Sequence, residues 1–257
     1  MSDFTNTART IQLSLEEYTQ INPVHILEDS EEKIIFSTPT IATKWRAENF
    51  YTNEPKTLEW IAGFDQKDVF LDIGANVGSY SIWAAKTKNM NVIAIEPESQ
   101  NYAVLNKNIL FNNLSSKITA LCLAISDSSK LSKLNLSSFS AGQALHGFDI
   151  PMNTVDVYSE KLEEFKPVYT QGCFSTTIDK LVEDGIPSPN HIKIDVDGFE
   201  DKVINGALDT IKNKDVKTIL IEMNQNIDSH LNIIKILEEL SYKVDNKDDV
   251  NYIFRKT

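Results

Sequence analysis

The sequence predicts a doubly wound α/β fold, with a mostly parallel seven-stranded sheet that ends in an antiparallel hairpin and is preceded by an N-terminal extension. Three observations predict it. Short continuous apolar runs recur at Val69 to Ile73, Val92 to Ile95, Ile118 to Ile125, Ile192 to Val196 and Thr218 to Ile221, as suits parallel strands covered on both faces. Amphipathic stretches at Ser79 to Lys86, Gln100 to Phe111, Ile178 to Glu183, Glu200 to Lys212 and Leu231 to Leu240 alternate with them. Near the end, the strand-like runs Tyr242 to Asp245 and Asn251 to Arg255 are joined by Asn246 to Val250 with no helix between, which is a hairpin signature.

Upstream of this repeat, Ile34 to Phe36 reads as a short strand, and Pro55 to Ile61 has the Pro start and apolar spacing of a helix. The chain of 257 residues has room for one large domain and its extensions. The division expected is an extension over 1–53, covering the substrate side, and a catalytic domain over 54–257. Within that domain, Ser137 to Phe174 is poorly periodic and far longer than ordinary connections, so 137–174 is read as an irregular insert facing the substrate.

Composition narrows the class. A hydrophobic content of 41% with 24% charged residues is that of a soluble globular protein, and the formal net charge of -12 opposes binding to nucleic acid. Met1 through Leu15 is polar, without the features of a signal peptide, and no apolar run is long enough to span a bilayer. A cytoplasmic protein acting on a small molecule or glycan is expected. Cys122 and Cys173 are too few for a disulfide framework and lack zinc-site spacing; both are expected as reduced thiols, Cys122 in a buried strand.

The first run leads through Asp72-Ile-Gly-Ala-Asn-Val-Gly-Ser79 into a helix, the strand, turn and helix arrangement that receives an adenosyl ligand. Gly74 and Gly78 are four apart, which departs from the dinucleotide spacing, and Asn76 between them tolerates positive φ. Asp72 stands where a dinucleotide enzyme would meet pyrophosphate. Its carboxylate repels pyrophosphate and attracts the ammonium and sulfonium charges of S-adenosylmethionine, so charge favours that ligand over a nicotinamide cofactor. Glu96-Pro97, 24 residues after Asp72, ends the second run and suits the ribose hydroxyls. Ser126-Asp127 after the third run are candidates for the adenine, against the simpler reading of a turn.

In His191-Ile-Lys-Ile-Asp-Val-Asp-Gly-Phe-Glu200 three acids stand where the fourth strand becomes a helix. Asp197 and Glu200 also fit an N-cap and its capping-box partner. Lys193 and Asp195 share one face of an apolar run, where charges are rare unless paired or functional. Asp195 is the leading candidate base, with Lys193 and His146 as alternatives. Asp195 with Glu222 and Asn224 would offer oxygen ligands to a divalent cation, an arrangement the sequence does not favour over a metal-free site. A nitrogen-directed enzyme would carry an Asn/Asp-Pro-Pro-aromatic run here. A ligand-binding module that had lost catalysis would have lost one of Asp72, Glu96 or Asp195, and all three are present.

The sequence resembles the FkbM-type methyltransferases. The resemblance is carried by Asp72-Ile-Gly-Ala-Asn-Val-Gly78, Glu96-Pro97, Ile192-Lys-Ile-Asp-Val-Asp-Gly-Phe-Glu200 and Ile221-Glu222, with Glu54-Pro-Lys-Thr-Leu58 and Thr177-Ile-Asp-Lys-Leu181. It implies a class I, Rossmann-like methyltransferase fold and methyl transfer from S-adenosylmethionine to oxygen, commonly a hydroxyl of a sugar or a glycosylated metabolite. Asp197 replaces the glutamate usual in that family, one methylene shorter.

Overall fold

The computed structural model describes residues 12–29, 32–150, 153–155, 162–164, 166–223, 228–248 and 250–257. The main sheet has seven strands: β1 (Val69–Ile73), β2 (Asn91–Ile95), β3 (Ile118–Leu121), β4 (His191–Ile194), β5 (Thr218–Glu222), β6 (Tyr242–Lys247) and β7 (Asn251–Lys256). Their order across the sheet is β3-β2-β1-β4-β5-β7-β6. The first five are parallel, and β7 runs antiparallel to both β5 and β6. The order reverses between β1 and β4, and at such a switch point the crevice beyond the strand ends is open to a ligand.

Strand alternation divides the core. Phe70, Val92, Ala94 and Leu220 point to one face and pack with Ile82, Trp83 and Leu105. Leu71, Ile73, Ile93, Ile95, Ile192, Ile194, Ile219 and Ile221 point to the other and pack with Val203, Ile211 and Ile233. Burial on both faces accounts for the continuous apolar runs.

The described N-terminal segment is built into the first of these layers. A hairpin of Val24–Asp29 and Glu32–Ser37 brings Ile34 and Phe36 into that core. Its inner strand is pinned by side-chain amides: Asn108 Oδ1 accepts from Ser37 N at 2.7 Å, and Asn112 bonds both N and O of Ile35. The helices Ile41–Glu48, Phe50–Asn53 and Pro55–Ala62 follow. The sequence pattern showed one strand of the hairpin; its partner has Val24 and Ile26 exposed and contributes Leu27 to the core, too little for a readable apolar run.

Four other expectations change. The run Ile118 to Ile125 splits after Leu121; Ala124–Ile125 leaves the main sheet and pairs with Tyr169–Thr176 in a four-stranded sheet completed by Lys130–Leu136 and Gly147–Phe148. Cys122 lies at that split and is exposed, whereas Cys173 is buried. The insert 137–174 therefore includes strand structure, its last part being most of an eight-residue strand. The stretch Glu200 to Lys212 is two helices, Glu200–Asn205 and Leu208–Lys212, broken at Gly206. A Cβ at Gly206 would lie 2.2 Å from the Ser126 carbonyl oxygen, so the break is where this layer closes on the loop after the third-strand region. Among the described residues, no helix is long and apolar enough to cross a membrane.

Candidate active site

A cleft opens beyond the C-terminal ends of β1, β2, β4 and β5, roofed by the small sheet and by the helix Ile41–Glu48. Its floor is the turn after β1. Gly74, Asn76 and Gly78 have φ of 77°, 53° and 81°, the left-handed values their residue types suit. Gly74 N and Ala75 N both donate to Ile95 O at 3.0 Å, which ties the turn to the end of β2. At Gly74 a Cβ would stand 1.8 Å from Asp195 O, so the turn is pressed against the end of β4. The two strand ends thus form one wall.

Glu96 is the buried acid of this cleft. Its Oε2 accepts from Asn76 N and its Oε1 from Glu98 N, both at 2.8 Å. Burial pushes its carboxyl up to about 7, against the backbone hydrogen bonds that favour the charged form. Pro97 lies beside it, its carbonyl receiving Gln171 Nε2 at 2.6 Å. Beyond Glu96 the lining becomes apolar, with Leu123, Ile125, Leu134 and Phe148.

Asp195 and Asp197 face the cleft from the loop after β4, and Glu222 faces it from the end of β5. The three present carboxylate oxygens within 4.8 Å of one another. Burial raises the Asp195 carboxyl, but the Lys193 ammonium at 2.6 Å, a hydrogen bond with Glu222 and the charge of Arg46 together outweigh it and hold Asp195 below the usual range. Glu222 is pushed up to about 9 by the charge of Asp195 and by burial, so near neutral pH it keeps its proton beside an ionised Asp195. Asp197 is raised to about 7, chiefly by burial and then by Asp195.

The capping box expected at this helix does not form. The N-cap is Phe199, without a side-chain cap bond. Asp197 instead takes φ 56°, and its Oδ2 accepts from Leu145 N at 2.7 Å. Glu200 Oε1 accepts from Val196 N and Gly198 N at 3.1 Å, which folds the loop back over the helix start, while Oε2 lies 3.0 Å from His230 Nε2. The left-handed turn at Asp197 and Gly198 moves the first helical residue past the position where an Asp197 cap would reach it.

Not every anticipated residue reaches the cleft. Gly74, Asn76, Glu96, Pro97, His146 and Asp195 line it; Asp72, Gly78, Ser79, Ser126, Asp127 and Lys193 do not. Alternation on β1 turns Asp72 to the face covered by the helix Ser79–Lys88, where Ser81 Oγ donates to its Oδ2 at 2.6 Å. Lys193 is its register partner on β4, and the buried ammonium feels the charges of both Asp195 and Asp72. Burial alone would lower the Lys193 pKa, but these acids and Glu54 raise it, leaving a cation rather than a base. Gly78 is spent on packing, a Cβ there falling 2.3 Å from Leu105 Cδ1. Ser126 N donates to Thr176 O, and Asp127 bonds the hydroxyls of Ser126 and Ser128, the turn alternative for that pair.

His146 sits in the roof. Its Nδ1 accepts from Ser137 N at 3.3 Å, and burial lowers its pKa against the neighbouring Glu98 charge and the Gln143 backbone, which favours the neutral ring. Arg46, Glu54 and Asn101 line the cleft without having been singled out in the sequence. Glu54 lies in a segment that resembles the family; Arg46, in a short helix distant in the chain, carried no signal. Asn224 lies outside the described residues.

A doubly wound sheet of this order, with an acid-rich crevice at its switch point, defines a methyltransferase-type Rossmann-like fold. A family model described as the Methyltransferase FkbM domain matches residues 72–244, more than half of the chain, and the chain belongs to that family. It is therefore a methyltransferase, and the family implies an S-adenosylmethionine-type methyl donor. The hexuronic acid methyltransferase AglP of Haloferax volcanii is 24% identical over 206 residues, which cover 79% of this chain and 75% of that protein. The crystal structure of methyltransferase FkbM from Methylobacillus flagellatus KT matches at a TM-score of 0.50 and 16% identity, over 75% of this chain and 44% of that one. The present chain thus spans under half of that protein. Precorrin-6y C5,15-methyltransferase from Geobacter metallireducens GS-15 matches at a TM-score of 0.47 and 14% identity, over 80% and 90% of the two chains.

Proposed function

We propose that the protein transfers a methyl group from S-adenosylmethionine to a hydroxyl oxygen of a sugar, glycan or glycosylated metabolite, with Asp195 as the base. The observation that carries this reading is the contact between Gly74 and the Asp195 carbonyl: the donor turn and the loop bearing the acid are one surface. The relative named for hexuronic acid supports a sugar as acceptor.

The donor fits the cleft by chemistry. Adenine suits Leu123, Ile125, Leu134 and Phe148, and the ribose suits Glu96, a buried carboxylate that lines the cleft. Gly74 and Asn76 would receive its amino-acid end. Bound there, the sulfonium would supply an activated methyl, its C–S bond breaking as the new C–O bond forms. The protein then has to align the acceptor oxygen, exclude water and take one proton. Asp195 takes it as the C–O bond forms, its position fixed by Lys193. Glu222, holding a proton beside it, donates toward Asp195 and keeps the two carboxyls from repelling each other.

Purified protein supplied with methyl-labelled S-adenosylmethionine should label a panel of neutral and uronic glycosides. The label should survive mild alkali, as a methyl ether does. Asp195→Asn should keep binding of S-adenosylhomocysteine while turnover falls roughly a hundredfold to ten-thousandfold. Alkali-labile label would mark a carboxyl ester and overturn the hydroxyl assignment; near-normal turnover in Asp195→Asn would overturn the base.

A further inference from the structure

The cleft is lined by five acids, Glu54, Glu96, Asp195, Asp197 and Glu222, and by a single Lys or Arg among the described residues, Arg46. The acids suit the ammonium and sulfonium of the donor proposed above. They do not suit its third charge. The methionine portion also carries a carboxylate, which in this surrounding is repelled unless a donor of opposite charge meets it.

Backbone amides often serve that purpose, but those of the turn are occupied. Gly74 N and Ala75 N donate to Ile95 O, Asn76 N to Glu96 Oε2, Val77 N to its neighbour's Oδ1, and Gly78 N to Ala75 O. Three amides of the facing loop are used in the same way, Asp195 N on Ile73 O, and Val196 N and Gly198 N on Glu200.

Arg46 is free to serve and held so that it can. Its Nε donates to Gly142 O at 2.7 Å, which leaves the terminal guanidinium nitrogens; their charge is felt by Asp195, but no carboxylate of the described residues lies within ion-pair distance of them. The anchor is firm. Gly142 N donates to Asn101 Oδ1 at 2.6 Å, and Thr40 Oγ1 donates to Ala141 O at 2.7 Å. A Cβ at Gly142 would come 2.8 Å from Thr43 N, so this loop lies directly on the helix Ile41–Glu48 that carries Arg46. The next carbonyl, Gln143 O, accepts from Asn76 Nδ2 at 2.8 Å, tying the anchor to the donor turn itself.

We propose that Arg46 grips the α-carboxylate of bound S-adenosylmethionine, as a guanidinium fork pre-set at the amino-acid end of the cleft. This rests on the donor-site reading and adds a contact from outside the family match, which begins at residue 72. The segment before the catalytic core then completes the donor site as well as covering it.

The test is calorimetry on the full chain with S-adenosylhomocysteine and with its decarboxylated counterpart, for the wild type, Arg46→Gln and Arg46→Lys. Wild type should prefer the carboxylate-bearing ligand. In Arg46→Gln its affinity should fall about tenfold to a hundredfold, the loss of a charged hydrogen bond. The decarboxylated ligand should bind wild type and variant alike, and Arg46→Lys should fall between. An unchanged affinity for S-adenosylhomocysteine in Arg46→Gln would overturn the proposal, and so would equal losses for both ligands in the two variants, which would make Arg46 a prop for Gly142. Failure of the wild type to bind either ligand would instead overturn the donor site.

Discussion

Glu96→Gln should stabilise the unliganded protein at alkaline pH while weakening its hold on the donor. The Glu96 carboxyl has an ordinary value of 4.5 and is pushed by burial up to about 7 in the fold. The folded state therefore holds this proton more tightly than the unfolded state. Its contribution to stability is complete below 4.5 and is lost as pH rises through 7. The 2.5 pH units between those values, at about 1.4 kcal/mol each, amount to about 3 to 4 kcal/mol, most of it lost between about pH 5 and 8. Glutamine does not ionise, so the variant escapes that loss. It also places an NH2 opposite either Asn76 N or Glu98 N, at a cost of about 1 to 3 kcal/mol that does not vary with pH. The informative quantity is thus the difference between variant and wild type, measured by urea unfolding without ligand at several pH values. That difference should move in favour of Glu96→Gln by about 2 to 3 kcal/mol from pH 5 to 8. A pH-independent difference would refute the buried, proton-holding Glu96, and unchanged affinity for S-adenosylhomocysteine would refute its contact with ribose.

Gly74→Ala should be costly in both stability and donor binding. The left-handed backbone costs about 1 to 2 kcal/mol for a residue with a Cβ, and the overlap with Asp195 O is relieved only by moving a strand end; a urea midpoint equal to wild type would show that the two strand ends are not in contact. Turnover should survive EDTA, because Lys193 and the proton on Glu222 already balance the carboxylates; loss of activity that Mg²⁺ restores would make Asp195, Asp197 and Glu222 a cation site instead.

The parallel core was legible because burial on two faces leaves a one-dimensional trace: five apolar runs, each ending at a turn. The closing hairpin was legible for a related reason, since Asn246 to Val250 leaves no room for a crossover helix. The split after Leu121 was not. Ala124 and Ile125 are as apolar as the strand before them, and only pairing with Tyr169–Thr176 separates them from it. Glu200 presents the same limit from the other side. Its spacing from Asp197 is that of a capping box, but the left-handed turn at Asp197 lets its carboxylate collect the Val196 and Gly198 amides first.

Asp72 shows where charge reasoning from sequence stops. The sign of the charge was readable, but which face of β1 carries it depended on the sheet register. Asp72 and Lys193 are register partners beneath the helix Ser79–Lys88, and Asp195 lies two residues beyond Lys193, facing the cleft. A fully buried lysine is tolerated only with partners, because an unpaired ammonium in that environment costs several kcal/mol or loses its proton. Asp195 pairs with the ammonium at 2.6 Å, the charges of Glu54 and Asp72 add to it, and the Tyr80 ring lies 5.3 Å away. With Glu54, Asp72 therefore acts on the cleft through Lys193: both help to hold that lysine charged, and the charged lysine favours an ionised Asp195, the state the proposed base needs to take a proton from an acceptor hydroxyl.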